Sequence, residues 1–84
     1  MPRTAFKVET SKTTHSGTPL FYYEEDFGFL SDAIKEVMES AEYHGGMFLE
    51  PEKVEKTLDQ KGYFKASRVR SFDIVYVKIA LVEY

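Results

Sequence analysis

The sequence predicts a single small α+β domain over residues 1–84, with its elements in the order β-β-α-α-β-β. Three observations support this. The chain is short but 43% hydrophobic, which suits one core. Apolar residues recur with helical spacing in the middle. Segments with strand-like alternation lie on both sides of that stretch. We therefore expect a mostly antiparallel sheet with both helices packed on one face.

The first two elements are predicted to form a hairpin. Thr4 to Thr10 alternates apolar and polar residues, which is typical of a half-buried strand. Ser11 to Pro19 is rich in Ser and Thr and predicts a mobile loop. Leu20 to Glu24 is again strand-like, and Glu24 to Gly28 is expected to lead into a helix.

The longer predicted helix carries one apolar stripe. The stripe residues recur at spacings of three and four, as a helix packed on a sheet requires. Ser31 or Asp26 is expected to cap its start, and Gly45 or Gly46 its end. The stripe consists of Leu30, Ala33, Ile34, Val37, Met38 and Ala41.

A shorter helix is predicted to begin at Pro51 and to stop at Gly62. Proline is tolerated at the first helical position, where its missing N–H has no helical partner. Val54 and Leu58 form its narrow apolar stripe, and Leu49 is placed to contact Val54.

The last part of the chain predicts two strands, Tyr63 to Val69 and Phe72 to Tyr84, with a turn at Arg68 to Ser71. The final strand is apolar on both sides. Val75, Val77, Ile79 and Leu81 are expected to lie under the helices. We predict that the other side contacts a second copy or another protein; that set is Phe72, Ile74, Tyr76, Val82 and Tyr84.

The net charge of −3 conceals an uneven distribution. Glu24 to Asp59 holds eleven acidic and three basic residues, so this stretch carries −8. We predict a partner-binding acidic helical face, because opposite potentials guide association. Its residues are Asp32, Glu36, Glu39, Glu52, Glu55 and Asp59.

Nucleic-acid binding is an alternative prediction. Lys65, Arg68 and Arg70 lie near Tyr63, Phe64 and Phe72, and basic residues among aromatic ones are typical of surfaces that bind single strands. The acidic net charge opposes this interpretation.

The sequence supplies little for catalysis, and we predict no enzyme, catalytic residue, metal or cofactor. There is no cysteine. His15 lies in the Ser/Thr-rich loop and His44 at a helix end, without a recognisable triad or metal motif. A small-molecule-binding domain using either histidine is a further alternative.

Composition also suggests where the protein acts. No apolar run approaches the ~20 residues that span a bilayer, and the first ten residues lack a signal-peptide pattern. We expect a cytoplasmic protein without membrane contact.

In its small size, acidity and lack of motifs, the chain is similar to many small phage-encoded inhibitors. That resemblance is one of size and composition, and it transfers no functional residue. We therefore predict a non-enzymatic regulator or inhibitor that binds another protein and forms a homodimer.

Overall fold

The computed structural model describes residues 3–84 and contains four strands and two helices. This α+β arrangement confirms the predicted fold class and element order. The elements are β1 (Thr4–Thr13), β2 (Pro19–Phe27), α1 (Leu30–Gly45), α2 (Pro51–Lys61), β3 (Tyr63–Val69) and β4 (Ile74–Glu83).

The strands form one antiparallel sheet in the order β2-β1-β4-β3. The first and last strands are therefore its central pair. They are matched over ten positions, from Thr4 opposite Glu83 to Thr13 opposite Ile74. Two backbone hydrogen bonds between Arg3 and Tyr84, of 3.0 and 2.7 Å, continue the ladder.

Both helices lie on one face of this sheet, which we call the helix face. α1 packs on β1 and β4, and α2 packs mainly on β3. As predicted, alternate residues of β4 meet the α1 stripe, although Leu81 is 47% exposed beside an open groove. The core consists of Val8, Ala33, Val37, Ala41, Val54, Leu58, Val77 and Ile79.

The start of α1 differs from the prediction. Its N-cap is Phe29, which makes no side-chain capping hydrogen bond. Asp26 and Ser31 were therefore wrong as caps. β2 continues to Phe27, so Asp26 belongs to a strand, and the chain reverses so abruptly that Ser31 already lies within the first helical turn.

The end of α1 follows the predicted glycine pair. Gly45 is the last helical residue, and Gly46 adopts a left-handed φ of 63°. Its N–H donates to the Glu42 carbonyl, while the Met47 N–H donates to the Ala41 carbonyl, both at 3.0 Å. These bonds satisfy carbonyls that the helix leaves open.

The predicted first loop is shorter than expected, because its ends belong to strands. β1 extends to Thr13 and β2 begins at Pro19. The connection between the two strands is therefore a tight turn over residues 14–18. The Thr14 N–H donates to the Thr18 carbonyl at 2.9 Å and closes it. Threonine is a favourable strand residue, and pairing with β4 decides the conformation that the local composition left open.

The β3–β4 connection also lies later than predicted. Phe72 was expected in the last strand, but it occupies the turn and is 68% exposed. The Arg70 N–H donates to the Asp73 carbonyl at 2.7 Å, so the chain reverses between them. β4 then begins at Ile74.

Gly45 is required by close packing of α1 on the sheet. A Cβ at this position would lie 3.0 Å from Val75 Cγ1 and 3.0 Å from Met47 Cε. We expect Gly45→Ala to lower the free energy of unfolding by about 1 kcal/mol, because overpacking outweighs the better helix propensity of alanine. Urea denaturation measures this. Gly28→Ala is the matched control, because its Cβ would meet nothing within 4 Å. A stabilised Gly45→Ala variant would contradict the packing argument.

Val77 tests the assignment of the two sheet faces. It is fully buried under the helices. We expect Val77→Asp to unfold the domain, because an unpaired buried carboxylate costs several kcal/mol. Val69→Asp is the control, since Val69 is 67% exposed and should retain the native circular dichroism spectrum. A folded Val77→Asp variant would show that Val77 does not lie on the buried helix face of the sheet.

Candidate protein-binding surfaces

The second face of the sheet carries no helix, and we call it the open face. Directly paired residues of an antiparallel sheet project from the same side, so the strand register gives the composition of this face. It presents four of the predicted sheet residues: Ile74, Tyr76 and Val82 from β4, and Tyr84 directly after that strand. Phe72 is not part of the strand. β2 and β3 add Tyr22, Tyr63 and Val69, which are 60%, 38% and 67% exposed.

Two transverse rows of the open face have a regular composition. Each row takes one residue from each strand, in the order β2, β1, β4, β3. The tyrosine–serine row is Tyr22, Ser11, Tyr76 and Ser67. The charged row is Glu24, Glu9, Lys78 and Lys65.

The charged row places like charges side by side. Glu9 is directly opposite Glu24, and Lys78 is directly opposite Lys65. Such pairs are destabilising in an antiparallel sheet. Both ammonium groups turn to the Tyr63 ring, with Nζ of Lys65 and of Lys78 at 5.9 and 5.7 Å from its centroid. Within residues 3–84, the one side-chain ion pair at 4.0 Å or less lies elsewhere, between Arg70 and Asp73.

Tyrosine hydroxyls bond to the acidic strand β2. Tyr22 donates to Glu24 at 2.7 Å, and this bond raises the pKa of Tyr22 to about 12. Tyr84 donates to Asp26, which raises the pKa of the Tyr84 hydroxyl. These bonds hold two open-face tyrosines in defined positions, and they leave the rings exposed.

The predicted acidic face is divided into two parts. Asp32, Glu36 and Glu39 of α1 border a shallow depression beside Phe27. Glu52, Glu55 and Asp59 of α2 border a different groove. The floor of that second groove is apolar and consists of Phe6, Leu30, Leu58 and Leu81. We call it the acidic groove.

The three basic residues of the nucleic-acid alternative do not share one surface. Lys65 lies on the open face. Arg68 lies on the helix face, where its Nη1 donates to the carbonyls of Gly45 and Gly46 at 3.1 and 3.0 Å. Arg70 lies in the β3–β4 turn, paired with Asp73 and stacked over Phe72 at 4.7 Å.

Each histidine has a packing role. His15 Nε2 is 2.7 Å from the Arg70 carbonyl and joins two neighbouring turns. His44 stacks on Phe21, with ring centroids 4.7 Å apart. Its burial, together with the nearby Lys12 charge, lowers the pKa of His44. In the described part of the chain, no three His, Asp or Glu side chains are grouped to hold a metal ion.

Several open-face residues escaped prediction from sequence: Glu9, Tyr22, Glu24 and Lys78. The alternation of Lys7 and Glu9 with Phe6 and Val8 signals a polar face on β1. It does not identify the partners on neighbouring strands, because register is a property of the folded sheet.

Searches against protein-family models, curated proteins and solved structures find no match to this chain. The two helices in residues 3–84 are both too short or too polar to cross a membrane.

The Arg70–Asp73 pair makes stability depend on acid pH. Arg70 donates to Asp73 through Nε at 2.6 Å and Nη2 at 2.7 Å, which lowers the pKa of the buried Asp73 carboxyl below its usual 3.8. The pair therefore stabilises the fold above about pH 4, and this contribution disappears as pH falls through the lower, folded-state pKa.

We expect Asp73→Asn to melt at a lower temperature at pH 7 and to show a smaller additional loss between pH 4 and pH 2 than the wild type. Melting curves across this range measure both effects. Asp59→Asn, at an exposed helical position, is the control. Parallel pH profiles for wild type and Asp73→Asn would contradict the assignment.

Proposed function

We propose that this protein is a non-enzymatic module that regulates or inhibits another protein by binding it through the open face of its sheet. The observation that carries the proposal is the composition of β4. Its central position and its apolar and aromatic residues on both faces are typical of a strand covered on both sides. In residues 3–84, the helices cover one side only.

The size and chemistry of the open face suit a protein interface. Four strands about 4.8 Å apart and some eight residues long present roughly 500 Å² of projected area. This approaches the ~800 Å² that each partner contributes to a standard interface. Tyrosines held by hydrogen bonds, such as Tyr22 and Tyr84, offer large contact area with little loss of side-chain entropy.

The acidic groove is a second candidate surface for the same function. Its apolar floor and its three carboxylates, which outnumber the single Lys56 on the same groove, suit a partner segment that carries both apolar and basic residues. The proposal retains the predicted cytoplasmic setting. Nucleic-acid binding has less support, because Lys65, Arg68 and Arg70 diverge and Arg68 is engaged at the end of α1.

The proposal is tested by immobilising the wild type and its variants and measuring which proteins each one captures from a cell lysate. We expect the double substitution Tyr76→Lys and Val82→Lys to reduce retention of bound protein at least tenfold, because it adds charge to the centre of the interface. Glu52→Gln with Glu55→Gln alters the acidic groove and is the matched control, because it changes the net charge by the same amount. Quantitative mass spectrometry of the retained proteins provides the readout, and circular dichroism verifies folding.

If only the groove variant loses retention, the partner binds at the acidic groove and not at the open face. Retention that neither variant affects would contradict both surfaces. Saturable binding of an oligonucleotide at low salt, abolished by Lys65→Ala, would favour the nucleic-acid alternative instead.

A further inference from the structure

The charge pattern of the open face points to its occupant. We propose that the open face binds a second copy of this chain, related by a two-fold axis that runs parallel to the strands between β1 and β4. This inference rests on one part of the proposed function, the use of the open face as a binding surface, and it names a second copy as the occupant of that surface.

The charged row carries the argument. It is acidic on the β2–β1 half and basic on the β4–β3 half: Glu24, Glu9, Lys78 and Lys65. Each half contains two like charges directly opposite each other, and within one chain only the inner residues of the row, Glu9 and Lys78, are opposite a residue of the other charge. A second surface with the reverse order would resolve both like-charge conflicts together.

A two-fold axis along the strands produces that reverse order from the same sequence. It places β2 of one copy over β3 of the other, and β1 over β4. Glu9 then faces the other copy's Lys78, and Glu24 faces the other copy's Lys65. Four alternating charges surround the axis, and the outer pairs lie on exposed edge strands where desolvation is small.

The in-plane axis perpendicular to the strands gives the opposite result. It places each strand over the same strand of the second copy, so an axis through the charged row would set Glu24 against Glu24 and Lys65 against Lys65. Like charges across an interface are strongly unfavourable. The charged row therefore favours the axis parallel to the strands over a perpendicular axis through the row.

The tyrosine–serine row supports the same axis independently. Its order is Tyr22, Ser11, Tyr76 and Ser67. With the axis parallel to the strands, Tyr22 faces the second copy's Ser67, and Tyr76 faces its Ser11. Large side chains thus oppose small ones, as interdigitating sheets about 10 Å apart require. A perpendicular axis through this row would set tyrosine against tyrosine.

Charge reversal tests the pairing directly. Glu9→Lys with Glu24→Lys makes the row wholly basic, and Lys65→Glu with Lys78→Glu makes it wholly acidic. We expect wild type to sediment as a dimer and each double variant to raise the dimer dissociation constant about 100-fold or more, because like charges then face each other. An equimolar mixture of the two variants should dimerise again. The quadruple variant should also dimerise, because its row is reversed but still self-complementary.

Cross-linking tests the axis. The chain has no native cysteine, so single cysteines report cleanly. A mixture of Tyr22→Cys and Ser67→Cys chains should be joined by a bis-maleimide of about 8 Å reach, because these positions face each other across the ~10 Å between sheets. Either variant alone should not be joined, because its two cysteines would be three strand spacings, roughly 14 Å, apart along the sheet. Efficient cross-linking of Tyr22→Cys to itself would overturn the proposed axis.

The outcomes separate this inference from the proposed function. If wild type stays monomeric at several hundred micromolar yet captures another protein through the open face, self-pairing is overturned and the proposed function stands. If folded double variants dimerise as well as wild type, the open face is not the dimer interface. If wild type is monomeric and retains no partner, both proposals fail.

Discussion

The pairing of β1 with β4 is the interaction on which the rest of the structure depends. These two strands come from opposite ends of the described chain and match over ten positions. β2 is attached to the sheet only through β1, and β3 only through β4. The central pair also supplies Val8, Val77 and Ile79, the floor on which α1 packs. Loss of this pairing would leave two separate strand pairs, each without a complete core to bury.

The same central pair creates the chemistry of the open face. One layer of helices satisfies the apolar residues on one side of β4, and Tyr76 and Val82 project from the other. The register brings Glu9 beside Glu24 and Lys78 beside Lys65. A row that is acidic on one half of the sheet and basic on the other is complementary to its own two-fold image. The proposed binding role and the proposed self-pairing therefore arise from one feature, the alignment of β1 against β4.

Local patterns in the sequence predict much of this fold, and contacts between distant segments explain the errors. Pro51 predicts the start of α2, and Gly62 predicts its end. The alternation of residues after Gly62 predicts the bounds of β3. β1 extends through Lys12 and Thr13 because these residues pair with β4. The local Ser/Thr-rich composition does not reveal that pairing, and it therefore predicts a loop. Phe72 was misplaced because an aromatic beside a strand resembles a strand residue, whereas the Arg70–Asp73 pair sets the turn. The composition of the open face was predictable for β4 alone. The charged row requires three inter-strand registers, and none is encoded in local periodicity.

The pairing of β1 with β4, which are far apart in the sequence, also constrains how the chain folds. Hairpin β1–β2, α1, and α2 with β3 are each assembled from neighbouring residues, but the contacts that join them span most of the chain. Such a high contact order slows folding, because a long loop must close before any of those contacts form. β4 is the last of these elements to be synthesised. Until then, the edge of β1 that pairs with β4 has no partner, and the apolar side of β1 is not fully covered. The acidic segment Glu24 to Asp26 on β2 would then act as a gatekeeper, keeping nascent hairpins from adding to one another while they wait.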